Sequence, residues 1–178
     1  GQFSADQQQQ VAAKPLSWHV PVRAVAGGEQ ALVITAGPNS QLTVSGCGTL
    51  LLNPGQTGYY RTLYTPQQAE ALQSGFATLG PVDQFGVLAD QMALATAGYQ
   101  PLAVGLDFLA AVPANANQKI VQEAVGQWDD LYDAFDGNDA VQQAIAARVI
   151  GEFGPRLRVL GFAPKPNEPV LHALLRTS

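Results

Sequence analysis

The chain has 178 residues, two His, one Cys and a formal net charge of −5. Those counts exclude a structural zinc site, which needs four Cys or His ligands, and an internal disulfide. They also argue against a nucleic-acid surface, which needs a basic footprint. Hydrophobic residues make up 47% of the chain, ample for a packed core, whereas charged residues are only 13%, about half the usual share. No apolar run approaches the ~18 residues of a membrane span.

The first 64 residues read as strands and turns. Ser17 to Val25 alternates, with Trp18, Val20 and Val22 on one side and His19 and Arg23 between them. Pro21 in that run predicts an edge position or a bulge. Gly27-Gly28 predicts a hairpin turn and Ala31 to Thr35 the return strand. Further short strands are expected at Leu42 to Val44, Leu50 to Leu52 and Tyr59 to Tyr64. Five or six short strands in this length point to a small antiparallel β-sandwich.

After Tyr64 the apolar period becomes helical. Thr65 is a good N-cap and Pro66 suits the first helical position. Ala69, Leu72, Phe76 and Leu79 form the first stripe, stopped by Gly80-Pro81. A second helix is expected from about Asp83 to Ala97, with Phe85, Leu88, Met92 and Ala95 inward. A third opens at Pro101 and ends at Pro113. A fourth spans about Asn117 to Phe135 on Val121, Ala124, Trp128 and Leu131. A fifth runs from about Asp139 to Phe153, with short helices near Arg156 to Leu160 and Val170 to Arg176. The fold class expected is therefore α+β, in two domains. Residues 1–64 form the β-sandwich, and residues 65–178 an antiparallel helical-hairpin array of HEAT/ARM-like type. Charge divides at the same place. Residues 1–64 carry Lys14, Arg23 and Arg61 against Asp6 and Glu29, a balance of +1, and the remaining −6 falls on the helices.

Candidate chemistry is sparse. His19, His172 and Cys47 have no partner at catalytic or metal-ligand spacing. Asp129, Asp130, Asp133, Asp136 and Asp139 are the densest acidic cluster. A calcium loop with Gly137 in its glycine slot would begin on Tyr132, which cannot ligate, so a solvated helix face or a partner surface is the better reading. The most unusual stretch is Asn53-Pro54-Gly55-Gln56-Thr57-Gly58-Tyr59-Tyr60-Arg61, a glycine turn feeding an aromatic strand at the join of the two halves. Arg61 there is expected either to contact substrate or to pair with Asp83 or Asp90 and so clamp the halves together, bidentate pairing favouring the clamp.

The segment from Asn53 to Tyr64, N-P-G-Q-T-G-Y-Y-R-T-L-Y, resembles the N-x-G-Q-x-G-[YF]-Y-R-V-x-Y signature of the aminopeptidase N-like zinc metallopeptidases, the family of the puromycin-sensitive and endoplasmic reticulum aminopeptidases. Its signature positions are Asn53, Gly55, Gln56, Gly58, Tyr59, Tyr60, Arg61 and Tyr64. Gln2-Phe3-Ser4 with Trp18 to Val22 resembles that family's Q-x-R-F … W-x-[IV]-P strands. Gly86 to Asp90 with Ala93 to Ala95 resembles its G-L-L-x-D … A-L-A helix, and Pro155 to Phe162 a later segment ending in L-G-W.

The resemblance implies a C-terminal portion of such an enzyme, the β-sandwich and the start of the helical domain, without the catalytic domain. No H-E-x-x-H or G-[AG]-M-E-N occurs, so no catalytic or metal residue can be assigned and no cofactor is expected here; zinc is expected in the missing catalytic domain. The implied partners are that upstream domain of the same polypeptide and peptide substrates, with Asp129, Asp130 and Asp133 adding charge to a substrate chamber. The alternatives are a stand-alone peptide- or protein-binding helical module, which would leave the ordered motifs unexplained, and an enzyme of unknown type. The compartment is open between cytoplasm and periplasm, in a soluble setting.

Overall fold

A computed structural model of the chain describes residues 18–37, 39–163, 165–168 and 172. The expected strand at Gln2 to Ser4 and most of the helix at 170–176 fall outside them. Among the described residues the sheet has three antiparallel strands, β1 (Pro21–Ala26), β2 (Glu29–Ile34) and β3 (Leu50–Leu52), in the order β2-β1-β3. Gly27 and Gly28 close the β1–β2 hairpin with φ of 54° and 88°, and Ala26 pairs with Glu29. Two consecutive positive φ values are what a tight turn matching the strand twist requires, and glycine adopts them without steric cost. Pro21 begins the central strand. It pairs with Ile34 on one side, while β3 reaches only Ala24 to Ala26, so its missing N–H interrupts no ladder.

Five α-helices follow among the described residues: α1 (Pro66–Ser74), α2 (Pro81–Thr96), α3 (Leu102–Ala110), α4 (Gln118–Ala134) and α5 (Asp139–Leu160). Thr65 and Gln68 cap α1 reciprocally, so two of its orphan backbone donors are satisfied. Helix α2 packs on α3 and α4, and α4 on α5. One core runs from Leu51 and Tyr64 through Leu72, Phe76, Leu88 and Met92 to Phe108, Ile120, Trp128 and Ile145. Phe76 meets Phe108 edge-on, with ring centroids 6.0 Å apart. A Cβ on Gly105 would stand 2.8 Å from Met92 Sδ, so glycine there sets how closely α3 approaches α2.

Five expectations need correction. Leu42 to Val44 and Tyr59 to Tyr64 are not strands among the described residues. In the second segment the backbone bonds to side chains of α2 instead of to a neighbouring strand, as set out below. The first helix ends at Ser74, and Phe76–Thr78 continues it as a 3₁₀ turn. Pro81 starts α2 rather than stopping the previous helix, as proline's fixed φ allows at the first position. The inward face of α2 is rotated from the expected stripe: Phe85 is 43% exposed, while Gln84 and Gln91 are buried with Val87, Leu88, Met92 and Ala95. Finally, α5 passes through Pro155 in one helix of 22 residues. Proline's cost there is one backbone hydrogen bond, and the packing of α5 against α4 offsets it.

Candidate functional site at the joint of sheet and helices

The turn after β3 is built on Asn53. Its φ of 54° is left-handed, a conformation asparagine tolerates better than most residues. Asn53 is 3% exposed, and its side chain is fully used. Oδ1 accepts the Gly58 N–H at 2.7 Å and Nδ2 donates to the Gly58 carbonyl at 2.9 Å. The Asn53 N–H donates to the Arg23 carbonyl at 2.9 Å, fastening the turn to β1. Gln56 also has positive φ, and its Nε2 donates back to the Asn53 carbonyl at 3.2 Å. The Asn-x-Gly-Gln-x-Gly spacing is therefore a self-bonded loop whose side chains do the work of a strand partner.

Helix α2 meets this loop along one face. Asp83, Gly86 and Asp90 lie at i, i+3 and i+7, so they share that face. Asp83 Oδ1 accepts the Gly55 N–H at 2.7 Å, and Asp90 Oδ2 accepts the Thr62 N–H at 3.1 Å. Between them, a Cβ on Gly86 would collide with the Gln56 side chain, so glycine lets the loop lie directly on the helix. Gln91 Nε2 donates to the Thr62 carbonyl at 3.0 Å, so both backbone groups of Thr62 are held by α2. Gln100 Nε2 in turn donates to the Gln91 carbonyl at 2.8 Å. On the sheet side, the Tyr64 hydroxyl accepts the Leu52 N–H at 2.9 Å. These bonds satisfy backbone groups that a neighbouring strand would otherwise have to pair.

The electrostatics follow from burial. Desolvation raises the Asp90 carboxyl above its ordinary range, and the Thr62 N–H and the Arg61 charge act against it. Burial pushes the Tyr64 hydroxyl up to about 12; the Leu52 N–H opposes that shift, and the charges of Asp90, Tyr60 and Asp83 add to it. The Tyr60 hydroxyl and Thr62 Oγ1 are buried with no partner among the described residues.

The structure thus brings Asp83 and Asp90 to the signature loop, where the charge of Arg61 acts on Asp90 without a direct ion pair among the described residues. Arg61 is exposed and forms no ion pair within 4.0 Å among the described residues. Tyr59 is fully exposed and Tyr60 half-buried, whereas Tyr64 is core. Asp129, Asp130 and Asp133 are exposed on the carboxyl half of α4, away from the joint. Sequence reasoning missed Gln84 and Gln91, whose Nε2 groups donate to the Phe76 and Thr62 carbonyls. Nothing in the sequence singled them out: two glutamines seven residues apart share a helix face, but only the packing of α2 turns that face inward, where a buried amide must be bonded. Among the described residues no group of three or more His, Cys, Asp or Glu is placed to hold a metal ion. Cys47 is exposed, and His19 Nδ1 is taken up by the Thr35 carbonyl at 2.8 Å. These residues do not fit a zinc site. Among the described residues no helix is long and apolar enough to cross a membrane.

Comparison with known proteins places this arrangement. The chain is similar to aminopeptidase M1 of Arabidopsis thaliana, 28% identical over 133 residues. That match covers 73% of the chain but only 15% of the plant protein's length. A family model described as the ERAP1-like C-terminal domain matches residues 49–178, which takes in β3, the Asn53 loop and all five helices. The chain belongs to the ERAP1-like C-terminal domain family, the kind of domain that M1-type aminopeptidases carry.

Proposed function

We propose that this chain is the non-catalytic C-terminal portion of a zinc aminopeptidase that removes N-terminal residues from peptides. It supports the catalytic domain and walls the chamber that receives substrate. The observation that carries the reading is the family match across residues 49–178. Zinc, in the catalytic domain, would activate the water that attacks the peptide bond; no residue described here is given a part in that step.

The domain division expected from the sequence belongs to this proposal: a β-sandwich over 1–64, of which the three strands form one layer, and a HEAT/ARM-like array over 65–178. So does the role of the joint. Asp83, Asp90 and Gln91 act as the clamp between the two, gripping the backbone of the Asn53–Tyr64 segment, with Arg61 outside it. The grip transmits the position of the sheet to the helices because it holds main-chain atoms, which cannot rotate away as a long side chain can. Asp129, Asp130 and Asp133 give the chamber a negative wall, since clefts of one sign concentrate oppositely charged ligands.

Two measurements test the reading. The reading frame upstream of Gly1 should encode H-E-x-x-H, and the isolated chain should neither hold stoichiometric zinc nor hydrolyse an aminoacyl-amide. Turnover by this chain, or an upstream frame without that motif, sinks the proposal. In the full-length enzyme, changing Asp129, Asp130 and Asp133 together to Asn should lower kcat/KM for basic relative to neutral peptides; an unchanged ratio removes the chamber-charge idea alone.

A further inference from the structure

Far from the joint, the end of α3, the loop after it and the last third of α5 enclose an open groove of about 520 Å³. That volume lies in the range of small-molecule sites. Its walls are apolar: Leu109, Val112, Pro113, Phe153, Pro155 and Val159. Val159 is 79% exposed, so the groove opens directly to solvent. One cation, Arg156, stands among these side chains. Its Nη2 donates to the Ala116 carbonyl at 2.8 Å, and its other donors have no partner among the described residues. The carboxylate one turn away, Glu152, also lines the groove but is already paired with Arg148. Desolvation disfavours the charge of the Arg156 guanidinium, and no neighbouring acid among the described residues offsets it. The group stays charged regardless, because arginine does not deprotonate in proteins.

A partly desolvated guanidinium with no acid partner among the described residues, in an apolar trough, has a definite complement. The ligand needs a planar anion that the guanidinium can grip with two parallel hydrogen bonds, and an aliphatic body for the walls. It should carry a single negative charge, because Glu152 and the acidic helical half disfavour more. We propose that this groove binds a small aliphatic monocarboxylate, with the carboxylate on Arg156 and the chain along Phe153, Val159 and Leu109. The inference stands apart from the proposed role beside a catalytic domain.

The test is calorimetric titration of octanoate into the 178-residue chain, with 1-octanol as the uncharged control. Octanoate should bind saturably, and octanol about tenfold more weakly or worse, as loss of a charge-assisted pair implies. Arg156→Gln should abolish octanoate binding. Because that change also strips the Ala116 carbonyl of its donor, Val159→Asp provides a second arm: it places an anion at the exposed rim and should weaken octanoate about tenfold. Equal affinity for octanol, unchanged binding to Val159→Asp, or no saturable binding at millimolar octanoate overturns the proposal. So does an N-acetylated apolar tripeptide with a free C-terminus that binds where octanoate fails, since the groove would then take peptide ends.

Discussion

Two helices present aspartates to their surroundings, and they do so in opposite ways. On α2, Asp83 and Asp90 face a backbone segment with unpaired N–H groups, and each accepts one. On α4, Asp129, Asp130 and Asp133 face solvent and accept none among the described residues. The residue type is the same and the helical context is similar. What differs is the neighbour: the Asn53 turn offers main-chain donors at fixed positions, and the aspartates of α4 meet no such donor among the described residues. A carboxylate becomes structural where a rigid donor meets it, and clustering in sequence is no guide to that.

The contrast can be broken most severely at the turn itself. Asn53→Ala should cost about 3 kcal/mol in chemical denaturation, because it leaves both backbone groups of Gly58 unpaired and keeps a left-handed backbone without the asparagine that tolerates it. A loss below about 1 kcal/mol would show that the turn does not organise the joint.

Tyr64 gives the next largest effect. Its hydroxyl ionises near 10.0 in the unfolded chain and at about 12 in the folded one. The raised folded value means the native state holds the proton more tightly. Its stability is therefore intact below pH 10 and is lost as pH rises through 12, by about 2 to 3 kcal/mol. Tyr64→Phe should flatten that alkaline limb in pH-dependent unfolding; an unchanged limb assigns it to another group.

Smaller again is the difference between Asp90 and Arg61. Asp90→Ala should cost about 1.5 kcal/mol, since it strips the Thr62 N–H of its acceptor in a half-buried place. Arg61→Ala should leave the melting temperature unchanged, because its side chain is exposed and unpaired among the described residues. If Arg61→Ala proves the more damaging, the grip is electrostatic and not on the backbone. Asp90 adds a pH signature. Its raised pKa means stability falls as pH rises through the window just above the ordinary carboxyl value of 3.8, and Asp90→Asn should remove that slope. The smallest effect belongs to α4: replacing Asp129, Asp130 and Asp133 together with Asn should not shift the melting temperature, as expected of solvated carboxylates.

Much of the fold was legible because it is locally encoded. Thr65-Pro66 starts α1, Gly27-Gly28 turns the hairpin, and the Val121-Ala124-Trp128-Leu131 stripe is the buried face of α4. In each case a residue's own backbone preference or a period of hydrophobicity suffices. The joint was half legible. Asp83 and Asp90 were singled out together with the Asn53–Tyr64 motif, but their partner was expected to be Arg61. Opposite charges are visible in a sequence, whereas a backbone N–H left over by a strand that does not form is not.

The sequence by itself determined the order of the helices, the starts of all but α2 and the buried stripe of α4, because these depend on neighbours within a turn or two. The tertiary structure alone decided which face of α2 turns inward, that Gln84 and Gln91 go with it, and that Tyr59 to Tyr64 is held by a helix and not by a strand. The physical reason is the cost of an unpaired buried amide. The backbone from Asn53 to Tyr64 had to find acceptors and donors somewhere. Only once the chain was folded did α2 prove to be the surface that supplied them.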